Sequence, residues 1–211
     1  LGRPARRLGW VVFAVVATAG LSWIQSHWTM ENHLDPDKRQ LVDATRQAIR
    51  LRPDRARGYI RYAEMLFLAQ HEVDESERMC RLGLNLNPNH AKGHRILGEI
   101  LISENRLTEG LNHLRSSLEI NPYNAAACAS AADTLLKLDR LDAQAGQLPA
   151  TTARLDEAVR LYFNSVRLSP NQPRTLTRLA LILAVHPDPK SRKSQEAIVL
   201  ARKAVAIAQG D

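Results

Sequence analysis

Cysteine is nearly absent from this chain. The two that occur, Cys80 and Cys128, lie far apart and in no metal-ligand spacing, which excludes a disulfide framework as the basis of the fold. Glycine is also scarce. Ten in 211 residues are few for an all-β fold, while Ala, Leu and Arg are abundant, and these favour helix. No G-x-S-x-G, Gly-rich phosphate loop or H-E-x-x-H motif occurs, so the common acyl-transfer, phosphate-binding and zinc-protease signatures are missing. A stripe of one-signed charge is lacking as well. The net charge is +7, but Arg3, Arg6 and Arg7 supply three of those charges, and elsewhere the signs alternate. A nucleic-acid partner, which needs clustered Lys and Arg, is therefore not expected. Seven histidines are present, with His90 and His94 four apart, yet no third ligand is apparent. Neither a metal nor a cofactor is implied. The length allows one domain, or one domain with an appendage.

Long apolar runs are limited to one, at the N-terminus. After the three arginines, Leu8 to Met30 carries no formal charge with His27 neutral, and Leu8 to Ile24 is densely apolar. Those 17 residues are at the short end of what crosses about 30 Å of hydrocarbon. Trp10, Trp23 and Trp28 flank the run, as interfacial aromatics do, and the arginines favour a cytoplasmic N-terminus. Residues 1–30 are expected to be a basic flank and a single transmembrane helix. Two rivals are a signal peptide cut after Ala17-Thr18-Ala19 and a buried soluble helix; the apolar run continues past that cleavage site. The first residue is Leu and no polar cap follows the last apolar helix, so the chain is expected to be part of a longer protein.

What the chain does contain is a repeated sentence. "AIRLRPDRARGY" (48–59), "GLNLNPNHAKGH" (83–94), "SLEINPYNAAAC" (117–128) and "SVRLSPNQPRTL" (165–176) each hold an apolar stretch, a proline and then a polar residue. The prolines, at 53, 88, 122 and 170, are spaced by 35, 34 and 48. The segment after Pro88 reads as two helices: Leu97, Gly98 and Leu101 share one face, and Gly110, Leu114 and Ser117 share another. "SENRLTEG" parts them, and Pro122 stops the second. "RLD" occurs at both 140–142 and 154–156. Deleting the residues between equivalent points restores a spacing of 34, so a loop insertion is expected near 143–153.

The pattern resembles the tetratricopeptide repeat. Its slots are filled by His94, Leu97, Gly98, Leu101, Gly110, Leu114, Ser117 and Pro122 in one unit. In the unit before they are filled by Tyr59, Tyr62, Ala63, Leu66, Ser76, Cys80, Gly83 and Pro88, with one extra residue between the helices. The third unit has Cys128, Ala131, Ala132 and Leu135, then Ala158, Tyr162, Ser165 and Pro170. The last has Leu176, Leu179, Ala180 and Leu183, then Ala197, Ala201 and Ala204. The resemblance implies an all-α fold: an α-solenoid of helix-turn-helix repeats over residues 53–211. Residues 31–52 form a linker and a lone capping-type helix, and the transmembrane helix precedes both. Helix pairs of this kind bury their apolar faces only by stacking.

The resemblance also implies a concave face built from the first helix of each pair. Its slots hold Arg57, Ile60, Arg61 and Glu64; Lys92, Arg95, Ile96 and Glu99; Ala126, Ala129, Ser130 and Asp133; and Arg174, Thr177, Arg178 and Leu181. The charged members, Arg57, Arg61, Glu64, Lys92, Arg95, Glu99, Asp133, Arg174 and Arg178, are the expected partner-binding residues. Chaperone-binding members of the family use Asn where this chain has Glu64, Glu99 and Asp133, so a chaperone clamp is not expected. An acidic or mixed-charge peptide suits the arginines better. The expected function is a membrane-anchored, non-catalytic scaffold for protein partners, themselves membrane or envelope proteins or peptides. Its location would be a bacterial inner membrane, single-pass, with the repeats periplasmic. The alternative is the C-terminal part of a larger polytopic membrane enzyme, such as a glycosyltransferase or O-antigen-ligase-like protein, which is similar in layout.

Overall fold

The joints that carry the repeated Asn-Pro also carry the reason the chain folds as it does. Asn87 and Asn121 sit just past helix ends in extended backbone, and each side-chain oxygen accepts the N–H two residues on, at 3.1 Å. The proline between has no N–H to continue the helix. Three residues after each of these asparagines the next helix is capped. His90 Nδ1 accepts from the Gly93 N–H, and Asn124 Oδ1 accepts from the Ala127 N–H, both at 3.1 Å. One short joint thus ends a helix and starts another.

The computed structural model describes residues 36–70, 72–145 and 152–209. Among the described residues the secondary structure is entirely helical. A helix without an antiparallel partner, α1 (Pro36–Leu51), comes first, and four pairs follow. They are α2 (Ala56–Met65) with α3 (Val73–Leu86), α4 (Ala91–Ser103) with α5 (Leu107–Ile120), α6 (Ala125–Gln144) with α7 (Ala153–Leu168), and α8 (Pro173–Val185) with α9 (Ser194–Gln209). Packing is densest within a pair and continues from each pair to the next, as in an α-solenoid.

Small residues set the spacing inside a pair. A Cβ on Gly98 would lie 2.9 Å from the Gly110 carbonyl oxygen, and one on Gly110 would lie 2.8 Å from that of Gly98. The α4 and α5 backbones therefore touch. The turn joining them has Asn105 at φ 65°. The Arg106 N–H bonds to Leu101 O at 2.9 Å and the Asn105 N–H to Ile102 O at 3.1 Å, the paired bonds of a left-handed helix C-terminus. The second-helix slot opposite this approach is filled by Cys80, Leu114 and Tyr162 in successive pairs, all buried. Each such side chain contributes about 1.5–3 kcal/mol on burial. Burial also pushes the Cys80 thiol up to about 12, so it stays protonated and inert; its S–H points to Gly93 O at 3.3 Å.

Three departures from strict repetition are visible. The extra residue of the first pair is taken up in a π-helical turn, Leu66–Gln70, at the end of α2. In the third pair α6 is 20 residues long against 13 for α4, so part of the added length near 143–153 extends this helix; 146–151 lie outside the described residues. Arg154, from the second "RLD", donates to Asp142 of the first and ties the long helix to α7. In the last pair the residues between α8 and α9 fold back: the Lys193 N–H bonds to Leu183 O at 2.9 Å and Arg192 Nε to His186 O at 3.0 Å. Among the described residues no helix is long and apolar enough to cross a membrane. The expected transmembrane segment, residues 1–30, lies outside them.

Candidate functional site

The first helices of successive pairs lie side by side, so residues at equivalent slots form rows across α2, α4, α6 and α8. The upper row is closed by its own charges. Lys92 Nζ is 2.6 Å from Glu64, and Arg95 reaches Glu64 at 3.3 Å and Glu99 at 2.7 Å. Ser130 of α6 donates to Glu99 at 3.4 Å. Arg95 and Glu64 are only 16% and 15% exposed, so this ladder is screened less than a surface pair. Four of the nine expected partner-binding residues are therefore occupied with one another, and they join three helices of the stack.

Below the ladder the groove opens. Two adjoining cavities, about 330 and 480 Å³, share Ser130, Asp133, Arg174 and Arg178 and are framed by α6 and α8, with Glu99 and Ile102 of α4 at one side. Asp133 is the central acceptor: Tyr162 donates its hydroxyl to it, and Arg178 and Arg174 approach at 3.2 and 3.5 Å. Burial, then the hydrogen bond to Asp133, pushes the Tyr162 hydroxyl well above its ordinary range, so it remains a donor. The carboxylate is thus satisfied from three sides. Lys137 and Arg140 also line the groove and have no ion-pair partner among the described residues. Sequence slots did not point to them, because the family pattern ends before this part of the helix. They continue the row from Asp133 at spacings of four and three, and Arg140 stands on the extension of α6.

Arg57 and Arg61 are elsewhere. They line a separate cleft of about 250 Å³ with residues of α1, not the groove of α6 and α8. His90 and His94 do not face each other either. His90 caps α4, while His94 Nδ1 lies 3.0 Å from Nδ1 of His113 on α5. The Ser130–Glu99 contact sets a hydroxyl against a carboxylate, but Arg95 holds that carboxylate at 2.7 Å. The chemistry on offer is recognition: charge-assisted hydrogen bonds from a lysine and three arginines around an open trough.

Stacked helix pairs, close glycine contacts and a groove floored by the first helices define the tetratricopeptide-repeat solenoid, and this chain has that fold. Several solved structures share it. The fragment of MamA from Desulfovibrio magneticus RS-1 that runs from residue 41 to its end superposes with a TM-score of 0.61 at 13% identity, covering 92% of this chain and 96% of that one. PilF of Pseudomonas aeruginosa gives 0.61 at 18% identity, covering 92% and 74%. MamA AMB-1 gives 0.59 at 18%, covering 83% and 92%. No family model matches the chain, and no curated protein is similar to it in sequence.

Proposed function

We propose that this chain is a membrane-anchored scaffold that holds an acidic or mixed-charge segment of a protein partner in the groove between α6 and α8, and that it performs no catalysis. The observation that carries this reading is a pair of cations, Lys137 and Arg140, without an ion-pair partner among the described residues, beside an open trough whose own carboxylates are already bound. A carboxylate-bearing segment laid there would meet Lys137 and Arg140 on one wall and the exposed Arg174 on the other. The anchor is the apolar segment Leu8–Ile24 with its arginine flank, which favours a single pass with the N-terminus cytoplasmic and the repeats on the far side of a bacterial inner membrane. The partner is then a membrane or envelope protein, or a peptide displayed by one.

Cross-linking in intact membranes followed by purification tests the reading. A stoichiometric partner is expected with the parent chain and is lost with Lys137→Glu/Arg140→Glu, while the circular dichroism of that variant is unchanged. Retention of the same partner by the double variant overturns the groove assignment. Accessibility of a cysteine placed at exposed Tyr123 to a membrane-impermeant reagent reports the side on which the repeats lie.

A further inference from the structure

Among the described residues, a second cluster of unpaired charge lies away from the groove. Arg52, Arg55, Arg57 and Arg61 ring the cleft between α1 and α2, over a floor of Thr45, Ala48 and Gly58. All four arginines are exposed, and among the described residues none forms an ion pair. Arg46, on α1, does: it sits 3.7 Å from Asp43 and donates to Tyr62. No carboxylate lines the cleft. α2 begins beside it with neither a side-chain cap nor an acidic residue in its first turn, so its free N–H groups add to the positive field. A rim of guanidiniums over an apolar floor fits an anion carried on an apolar body, and each guanidinium can offer two parallel N–H groups to phosphate oxygens.

We propose that this end of the solenoid rests on a bilayer, with the four arginines binding the phosphates of anionic phospholipid headgroups. The inference rests on the membrane-anchored reading above. Its preference for lipid over an acidic protein segment comes from reach. Eleven residues, 25–35, separate Ile24 from the start of α1. Fully extended they span at most about 40 Å. The first helices are therefore the part of the repeat array held nearest to whatever the apolar segment enters, and the tether keeps the cleft at high effective concentration there.

The test is co-flotation of the full chain, at a lipid concentration low enough that phosphatidylcholine vesicles capture only a small fraction of it, with vesicles of phosphatidylcholine alone and with vesicles in which a third of the lipid is phosphatidylglycerol. Near an anionic surface each arginine strengthens binding roughly fivefold. Four together are expected to raise partition of the parent chain by up to several hundredfold, and raised salt should remove the gain. The fourfold Arg→Gln variant should lose the gain yet float with phosphatidylcholine as the parent does; the fourfold Arg→Lys variant should keep most of it. No gain for the parent, or an equal gain for the Gln variant, overturns the proposal. So does hexaglutamate binding to the parent without lipid and not to the Gln variant, which would assign the cleft to an acidic protein segment. Failure of the anchor reads differently: neither protein floats with phosphatidylcholine, while the salt-sensitive gain from phosphatidylglycerol is still measured.

Discussion

Ser76, Ser117 and Ser165 occupy small-residue slots of the second helices and are all fully buried, yet they do different things. Ser76 donates to Ala63 O at 2.6 Å and Ser165 to Ala125 O at 2.9 Å, whereas the Ser117 hydroxyl has no partner among the described residues. A buried hydrogen bond contributes about 1 kcal/mol, and an unsatisfied buried hydroxyl costs about 1–3. Ser165→Ala should therefore lower stability by about 1 kcal/mol. Ser117→Ala should raise it by a similar amount, as read by urea unfolding; destabilisation by the latter would mean the hydroxyl has a partner. The His94–His113 contact predicts a pH dependence. His94 Nε2 is 2.8 Å from Pro88 O. A carbonyl only accepts, so that nitrogen carries the proton, and Nδ1 of neutral His94 accepts from Nδ1–H of His113. The pKa of His113 is lowered, first by burial and then by His94 and by Arg81 of α3; Glu109 of α5 and Glu77 of α3 oppose them. A base with a lowered folded pKa stabilises above its unfolded value, about 6.5, and that stability is lost as pH falls below it. Thermal midpoints should fall from pH 7.5 to 5.5, and less steeply in His113→Leu. His90, lowered mainly by burial, contributes the same sign in both proteins, so equal slopes would refute the role of the pair.

At the scale of the helix, Gly110 sets how near α5 comes to α4. Alanine there would gain about 1 kcal/mol in helix propensity, but its Cβ would meet Gly98 O at 2.8 Å and Ile102 Cγ1 at 2.7 Å. The backbone contact decides the sign, because a carbonyl inside a helix cannot swing away as a side-chain end can. Gly110→Ala should cost about 1–3 kcal/mol net, as overpacking does, measured by denaturant unfolding. A neutral result would show that the pair can part at no cost. Such elements were legible in the sequence because the slots that need small residues admit so few types: Gly98 and Gly110 mark one pair, and Ser165 with Ala158 marks another. The joints were legible for the same reason, since Asn-Pro both ends a helix and removes the donor that would continue it. The π-turn at Leu66–Gln70 was not. An extra residue can enter a loop or a helix with no difference in composition, and only packing between Leu66 and its neighbours selects the helix. The groove was half legible. Slots named Asp133, Arg174 and Arg178, but they could not say that Glu64 would bond to Lys92 and Arg95, because those pairings run between repeats, 28 and 31 residues apart; only the Arg95–Glu99 pair, four apart on one helix, follows from spacing. Arg140 was hidden by the insertion, whose effect on α6 no repeat pattern encodes, and Lys137 lies past the last family slot of the first helix.

For the molecule as a whole, the insertion separates what the solenoid needs from what the groove uses. Stability in a stacked array is close to a sum over pairs and their interfaces, so a segment that stays out of the interfaces can be removed at little cost. Deleting residues 143–156 joins the first "RLD" to Glu157. Leu141, now 40% exposed, then falls where Leu155 packs against the core, and Asp142 replaces Asp156. The pair regains the spacing of its neighbours, and the buried slots Ala158, Tyr162 and Ser165 are untouched. Helix content by circular dichroism should drop only by the extension of α6 and the replaced start of α7. The thermal midpoint should move by no more than about 4 °C, the equivalent of about 1 kcal/mol in a chain of this size. Arg140, however, leaves the long helix for the turn, and the wall facing Arg174 loses its outer cation. The deletion variant should therefore bind an acidic probe peptide as weakly as Arg140→Gln does, while remaining folded. A variant that unfolds would show that the long α6 is part of the stack. One that binds like the parent would show that the groove ends at Lys137 and that the extension serves some contact outside it.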